Sequence, residues 1–143
     1  MTDPTTEITD YFDPSDDKIK EECGIFGILG LENASSLTAL GLHALQHRGQ
    51  EACGIASFDG DKFHNERHLG MVGDNFTGKD LRQVLPGAAS IGHTRYSTAG
   101  KTLLRNTQPL FADIPSGGLA IAHNGHLTNA NQLREQLVHD GAI

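Results

Sequence analysis

Residues 20–31, Lys-Glu-Glu-Cys-Gly-Ile-Phe-Gly-Ile-Leu-Gly-Leu, hold the sharpest change of texture in the chain. Cys23 to Gly30 is a short apolar run closed by Glu32-Asn33, the pattern of a buried strand. Everything before it reads differently. Residues 1–22 carry Pro4, Pro14 and repeated Asp and Thr, with no helical or alternating apolar period, so they are expected to form an extended, solvated tail. Cys23 therefore marks the boundary between a tail and a folded domain.

Working outward, Leu37, Leu40, Leu42 and Leu45 fall near helical spacing between Ala34 and Gln46, predicting a helix that ends near His47, capped by Asn33 or Ser35 and stopped by Gly49. Ala52 to Phe58 reads as a second strand, Asp59-Gly60 as a tight turn and Lys62 to His68 as the return strand of a hairpin. Thr77 is expected to cap a short helix through Leu85, ended by Pro86-Gly87. Ala88 to Arg95 and Leu119 to His123 predict two more strands. Thr128 or Asn129 then opens an amphipathic helix stopping at Gly141. Strands that follow one another so often, with helices between, argue for an α+β fold with antiparallel sheet rather than a doubly wound parallel one.

The chain has 143 residues, enough for one domain with its own core. Its longest apolar stretches fall far short of the roughly 20 residues of a membrane helix. The formal charge is −7 and sits mostly in the tail, where Asp3, Glu7, Asp10, Asp13, Asp16, Asp17, Glu21 and Glu22 face only Lys18 and Lys20. No basic stripe balances it, so neither nucleic acid nor an anionic membrane is an expected partner. The acidic start is unlike a secretory signal, which places the chain in the cytoplasm with Cys23 and Cys53 reduced.

Four places carry chemistry. Cys23 has two readings: a small buried strand thiol, or, if the tail is cut before it, a terminal residue holding a thiol and an α-amino group together. A free thiol ionises near about 8.5 and a terminal amine just below about 8, so the amine can serve as base for its own sulfur. Arg95, in Gly-His-Thr-Arg-Tyr-Ser-Thr-Ala-Gly (92–100), stands at a strand end beside a glycine-flanked loop, where a guanidinium can fork onto a carboxylate or merely hold the loop. His123-Asn124-Gly125 follows a strand: the Asn amide and the Gly N–H form a two-donor oxyanion hole, or simply a turn. Gln46-His47-Arg48-Gly49-Gln50-Glu51 is more densely polar than a helix cap needs. Eight His raise a metal reading, and His43 and His47 stand four apart, but no third ligand at set spacing accompanies them. Cys53 reads as core.

Taken in order, Glu-Glu-Cys-Gly-Ile-Phe-Gly-Ile-Leu-Gly (21–30), Ala-Leu-Gln-His-Arg-Gly-Gln-Glu-Ala-Cys-Gly-Ile-Ala (44–56), Gly-His-Thr-Arg-Tyr-Ser-Thr-Ala-Gly (92–100) and Ile-Ala-His-Asn-Gly-His-Leu-Thr-Asn (121–129) resemble the class II glutamine amidotransferase domain. More narrowly they are similar to the amino-terminal half of the amidophosphoribosyltransferases.

The resemblance implies an N-terminal-nucleophile hydrolase, a four-layer αββα sandwich of antiparallel sheets, with residues 1–22 a leader removed between Glu22 and Cys23. Residues 23–143 would then be the amidotransferase domain, cut short at its C-terminal end and with little or no activity as a fragment. It implies Cys23 as nucleophile, Asn124 and the Gly125 N–H as oxyanion hole, Arg95 as clamp on the glutamine α-carboxylate, and Tyr96, Thr98 and Arg48 in the same pocket. Glutamine would be hydrolysed to glutamate and ammonia, and the ammonia passed to phosphoribosyl pyrophosphate on a missing C-terminal domain to give phosphoribosylamine, the first step of purine synthesis. No cofactor is expected in this segment; Mg2+ with phosphoribosyl pyrophosphate, an iron–sulfur cluster in some members, and a homo-oligomer belong to the full-length enzyme. The alternatives are another class II amidotransferase, such as the glucosamine-6-phosphate synthase type, or a non-catalytic binding module that keeps its leader.

Overall fold

The computed structural model describes residues 23–96, 103–115, 117–125 and 127–142. The expected leader and Thr98 lie outside these residues. The elements run β1 (Gly24–Leu29), α1 (Ala34–Ala44), β2 (Ala52–Phe58), β3 (Phe63–Leu69), α2 (Val72–Phe76), α3 (Leu81–Val84), β4 (Ala89–Arg95), β5 (Leu110–Ile114), β6 (Gly117–Ile121) and α4 (Ala130–His139), with 3-10 turns at Gln46–Arg48 and Leu104–Asn106. The class is mixed α and β with antiparallel pairing throughout the described sheets.

One sheet has the order β1-β4-β2-β3 and the other is the hairpin β5-β6. Register in the larger sheet is unbroken: Gly24 pairs with Thr94, and Cys53 pairs with Thr94 on one side and His68 on the other. Because side chains alternate, Thr94, Gly92, Cys53 and Ile55 face α1 while His93, Arg95, Gly54 and Arg67 face the other way. The core lies on the first of these faces, where Leu42, Cys53, Ile55, Val72, Phe76, Leu81 and Leu85 pack together.

Of the leucines in α1 that suggest its buried stripe, Leu42 is buried and Leu40 is not. Ala34, Thr38 and Leu42, four residues apart, are fully buried, whereas Leu40 is 68% exposed. Close contact explains this: a Cβ at Gly92 would stand 2.6 Å from Leu42 Cδ1 and 2.7 Å from Thr38 Cγ2, and Gly41 lies against the Phe26 ring. A helix pressed this close to a sheet needs a glycine opposite its one large contact residue, Leu42, and small residues such as Ala34 and Thr38 along the rest of the stripe.

Other local expectations are corrected. Asn33 occupies the N-cap position of α1 but makes no side-chain cap bond, and Ser35 is inside the helix, donating to Leu81 O at 3.3 Å. The α-helix stops at Ala44, and Gly49 follows the 3-10 turn in extended rather than left-handed backbone. The hairpin loop spans four residues, 59–62, with Asp59 Oδ1 accepting from the Asp61 and Lys62 N–H groups at 2.9 Å each. Thr77 ends α2, a helix without a sequence expectation, and Asp80 is the residue that caps α3, accepting from Arg82 N at 3.2 Å. The strand expected at Leu119–His123 runs instead from Gly117 to Ile121, and β5 has no counterpart among the expectations. Asn129 precedes α4 without a cap bond; the far end closes as foreseen, with Gly141 N on Val138 O and Ala142 N on Leu137 O. No described helix is long and apolar enough to cross a membrane.

Candidate active site

The register of β1 against β4 decides what Cys23 meets. Gly24 lies opposite Thr94 and donates its N–H to Thr94 Oγ1 at 3.2 Å, so the residue before it falls beside the chain leaving β4. There the half-exposed Cys23 Sγ sits between the main-chain N–H and C=O of Tyr96, both at 3.5 Å. No room exists for a larger residue at position 24, because a Cβ would stand 2.8 Å from Thr94 Oγ1 and 3.0 Å from Leu45 Cβ.

Two side chains remote in sequence converge on the Cys23 carbonyl oxygen. Asn124 Nδ2 donates to it at 2.7 Å and Arg48 Nε at 3.3 Å. Asn124 stands in the loop that follows β6, next to Gly125, whose φ of +134° suits a residue without Cβ. An amide nitrogen carries two hydrogens, so one bond to Cys23 O leaves Asn124 Nδ2 a second to give.

Arg48 ends the Gln46–Arg48 turn, and Gln46 explains the polar density noted there. Its Nε2 donates to Gly49 O at 2.5 Å and its Oε1 accepts from Val72 N at 2.6 Å, tying the turn to the start of α2. Gly49 then runs directly against β4: a Cβ would stand 2.7 Å from Arg95 C and 2.8 Å from Thr94 C.

Arg95 closes β4 on the face away from α1. Its Nη1 donates to Asn106 O at 3.0 Å, and its Nε is buried with no partner. The structure thus gathers Cys23, Tyr96, Arg48 and Asn124 by direct hydrogen bonds. Arg95 is adjacent in chain to Tyr96 and bonds outward to Asn106. Two residues back, His93 is fully buried beside the His123 backbone. Burial pushes its imidazole down to about 4, helped by the positive charge of nearby Arg95. Cys53, at the opposite face, is fully buried among apolar side chains, and burial raises its thiol to about 11. Among the described residues no group of three or more His, Cys, Asp or Glu could hold a metal ion.

Sequence reasoning missed Gln46, Thr94 and Gln108 as site-building residues. Gln46 stood inside a stretch already marked as too polar for a cap. Thr94 stood inside the marked 92–100 stretch but acts across the sheet on Gly24, and Gln108 gave no local signal.

No family model matches the chain. The amidophosphoribosyltransferase of Rhizobium etli is 61% identical over 132 residues, which are 92% of this chain and 27% of that protein. That of Bacillus subtilis is 48% identical over 126 residues, 87% of this chain and 26% of the relative. That of Lacticaseibacillus casei is 50% identical, covering 87% of this chain and 64% of the relative. Among solved structures, the glutamine phosphoribosylpyrophosphate amidotransferase of B. subtilis complexed with ADP and GMP superposes with a TM-score of 0.74 at 43% identity, over 83% of this chain and 25% of that one. A structure described as the allosteric regulatory enzyme of purine biosynthesis gives 0.77 at 45% identity, over 83% and 26%.

Proposed function

The chain belongs to the amidophosphoribosyltransferase family, corresponding to its amino-terminal part, and on that premise we propose that it is the glutamine-hydrolysing unit of such an enzyme. The chain spans about a quarter of the length of most relatives reported above, so the acceptor chemistry belongs to the rest of the protein. The observation that carries the reading is the convergence of Asn124 Nδ2 and Arg48 Nε on the carbonyl of Cys23 while the Tyr96 backbone brackets its sulfur.

In the proposed reaction the leader, residues 1–22, is removed, freeing the α-amine of Cys23. That amine takes the thiol proton as the sulfur attacks the side-chain carbonyl carbon of glutamine. The electron pair displaced onto oxygen is held by the second Asn124 N–H and by the Gly125 N–H. The oxyanion collapses and the C–N bond breaks. The leaving nitrogen takes the proton from the α-ammonium and departs as ammonia, leaving a thioester. Water, deprotonated by the same amine, releases glutamate and restores the thiol. Arg95 clamps the glutamine α-carboxylate, with Tyr96, Thr98 and Arg48 shaping the pocket.

The two antiparallel sheets form the inner layers of a four-layer αββα sandwich, α1 to α3 supplying one outer layer and α4 belonging to the other. In the whole enzyme the ammonia displaces pyrophosphate from phosphoribosyl pyrophosphate, giving 5-phosphoribosylamine, within a cytoplasmic homo-oligomer. Mg2+ accompanies that acceptor, and some family members hold an iron–sulfur cluster; the described residues offer no ligand set for either, and the chain's two cysteines fall short of a cluster's usual four. Each relative reported carries the amidophosphoribosyltransferase name, which favours this acceptor over glucosamine-6-phosphate.

The test is covalent labelling of the full-length protein with an electrophilic glutamine analogue, read by peptide mass. One label on Cys23, absent in Cys23→Ala and accompanied by a mature chain that begins at Cys23, is the expected result. An active enzyme that retains its leader would refute the amine-as-base mechanism.

A further inference from the structure

Just ahead of β5, residues 106–108 lie on the face of the large sheet away from α1. Three main-chain carbonyls in a row are held there: Asn106 O accepts from Arg95 Nη1 at 3.0 Å, Thr107 O from Arg67 Nη1 at 3.2 Å, and Gln108 O rests directly on Gly54. Gly54 lies in the middle of the sheet, paired with His93 on one side and Arg67 on the other, and any Cβ there would collide with that carbonyl. The segment is therefore pinned to the sheet by two guanidinium groups and a missing side chain. From this fixed base the Gln108 side chain reaches forward, and its Oε1 accepts the main-chain N–H of His123 at 2.5 Å. His123 is the residue immediately before Asn124.

We infer that Gln108 is a positioning residue for the reaction: its side-chain carbonyl fixes the His123 backbone, and through it aims the Asn124 amide and the Gly125 N–H at Cys23. This rests on the reading of Asn124 and Gly125 as the oxyanion hole. Donors that stabilise developing charge act through their fixed placement, so a backbone anchor one residue away governs how well they are aimed. Because Gln108 touches neither sulfur nor substrate, its loss is expected to lower turnover while leaving glutamine binding at Arg95 nearly unchanged.

The experiment compares Gln108→Met, which keeps the length and removes the acceptor oxygen, with Gln108→Glu, which keeps an acceptor. Both are made in the full-length protein. Glutaminase kcat and KM are measured together with hydrogen exchange at the His123 amide. The inference expects kcat at least tenfold lower in Gln108→Met with KM within twofold, faster exchange at His123, and recovery of both readouts in Gln108→Glu to within threefold of the parent. A Gln108→Met enzyme with parental kcat overturns it. So does a fall in kcat that Gln108→Glu shares in full, or one matched by an equal change in KM, since either marks a merely structural residue. Should the parent show no glutaminase activity, the proposed function fails by itself. The His123 exchange comparison still decides the anchor: unchanged protection in Gln108→Met refutes it, and selective loss restored by Gln108→Glu supports it.

Discussion

Asn124 donates its side-chain amide to the carbonyl of Cys23 at 2.7 Å across 101 positions of sequence. The bond joins the loop after β6 to the main chain of the residue just before β1, and so brings that loop beside the thiol-bearing residue. Replacing Asn124 by Ala removes both amide hydrogens. The expected outcome in the full-length protein is a fall in glutaminase kcat of about 100- to 1,000-fold with little change in KM, as for loss of one oxyanion donor. A variant within fivefold of the parent would assign the amide to loop structure alone.

Gly49 packs against the carbonyl carbons of Thr94 and Arg95, which are backbone and cannot step aside. Gly49→Ala is expected to destabilise the fold by about 1–3 kcal/mol, the usual cost of overpacking. The same shift moves Arg95, so the KM for glutamine should rise more than kcat falls. Urea midpoints and steady-state kinetics on one preparation test both.

Burial of His93 makes stability depend on pH in a stated direction. The unfolded chain takes up a proton on this imidazole near its ordinary value of 6.5, whereas the folded chain does so only near 4. Between those values the unfolded state binds more protons, so stability contributed by this site falls as pH drops, by up to about 1.4 kcal/mol per unit. Arg95 and His123 are the charged neighbours that oppose protonation in the fold. Denaturant midpoints at pH 7 and pH 5 should differ less in His93→Gln than in the parent; an equal difference would place the sensitivity elsewhere.

The two thiols should separate by access and ionisation. Cys53 is fully buried and its thiol is raised to about 11, so almost none is thiolate at pH 8. Brief alkylation of the folded protein at pH 8 is expected to modify Cys23, which is half-exposed, and to spare Cys53 until denaturant is added. Peptide mass mapping reads the result, and equal labelling of both would contradict the described core.

How far the sequence alone reached can be judged element by element. The strand after Cys23, the hairpin from Ala52 and the strand ending at Arg95 were legible because their apolar residues run or alternate within a few positions and Gly or Pro punctuates them. The stop of α4 at Gly141 was legible for the same local reason. Cys23, Arg48, Arg95 and Asn124 were marked by residue type and by their order along the chain. The α1 stripe was only partly legible because leucine spacing does not report which side of a helix meets glycines on a sheet. Asp80 took the capping role expected of Thr77 because α2 runs up to Phe76 and makes Thr77 its C-terminal cap, so the next helix is capped three residues later. No periodicity revealed β5, whose five residues are all exposed.

Composition and motif order thus settled that a strand follows directly on Cys23, that the chain builds antiparallel sheet and that it carries four reactive-looking clusters. Only the tertiary structure decided which of them meet. Strand pairing set Cys23 against Tyr96, a bare Gly49 let Arg48 close on the same carbonyl, and Gln108, seated on Gly54, brought in the loop of Asn124. These are contacts between residues tens of positions apart, fixed by register and by where a side chain is missing. A linear reading cannot contain them, because neither register nor close approach is a property of any one stretch of chain.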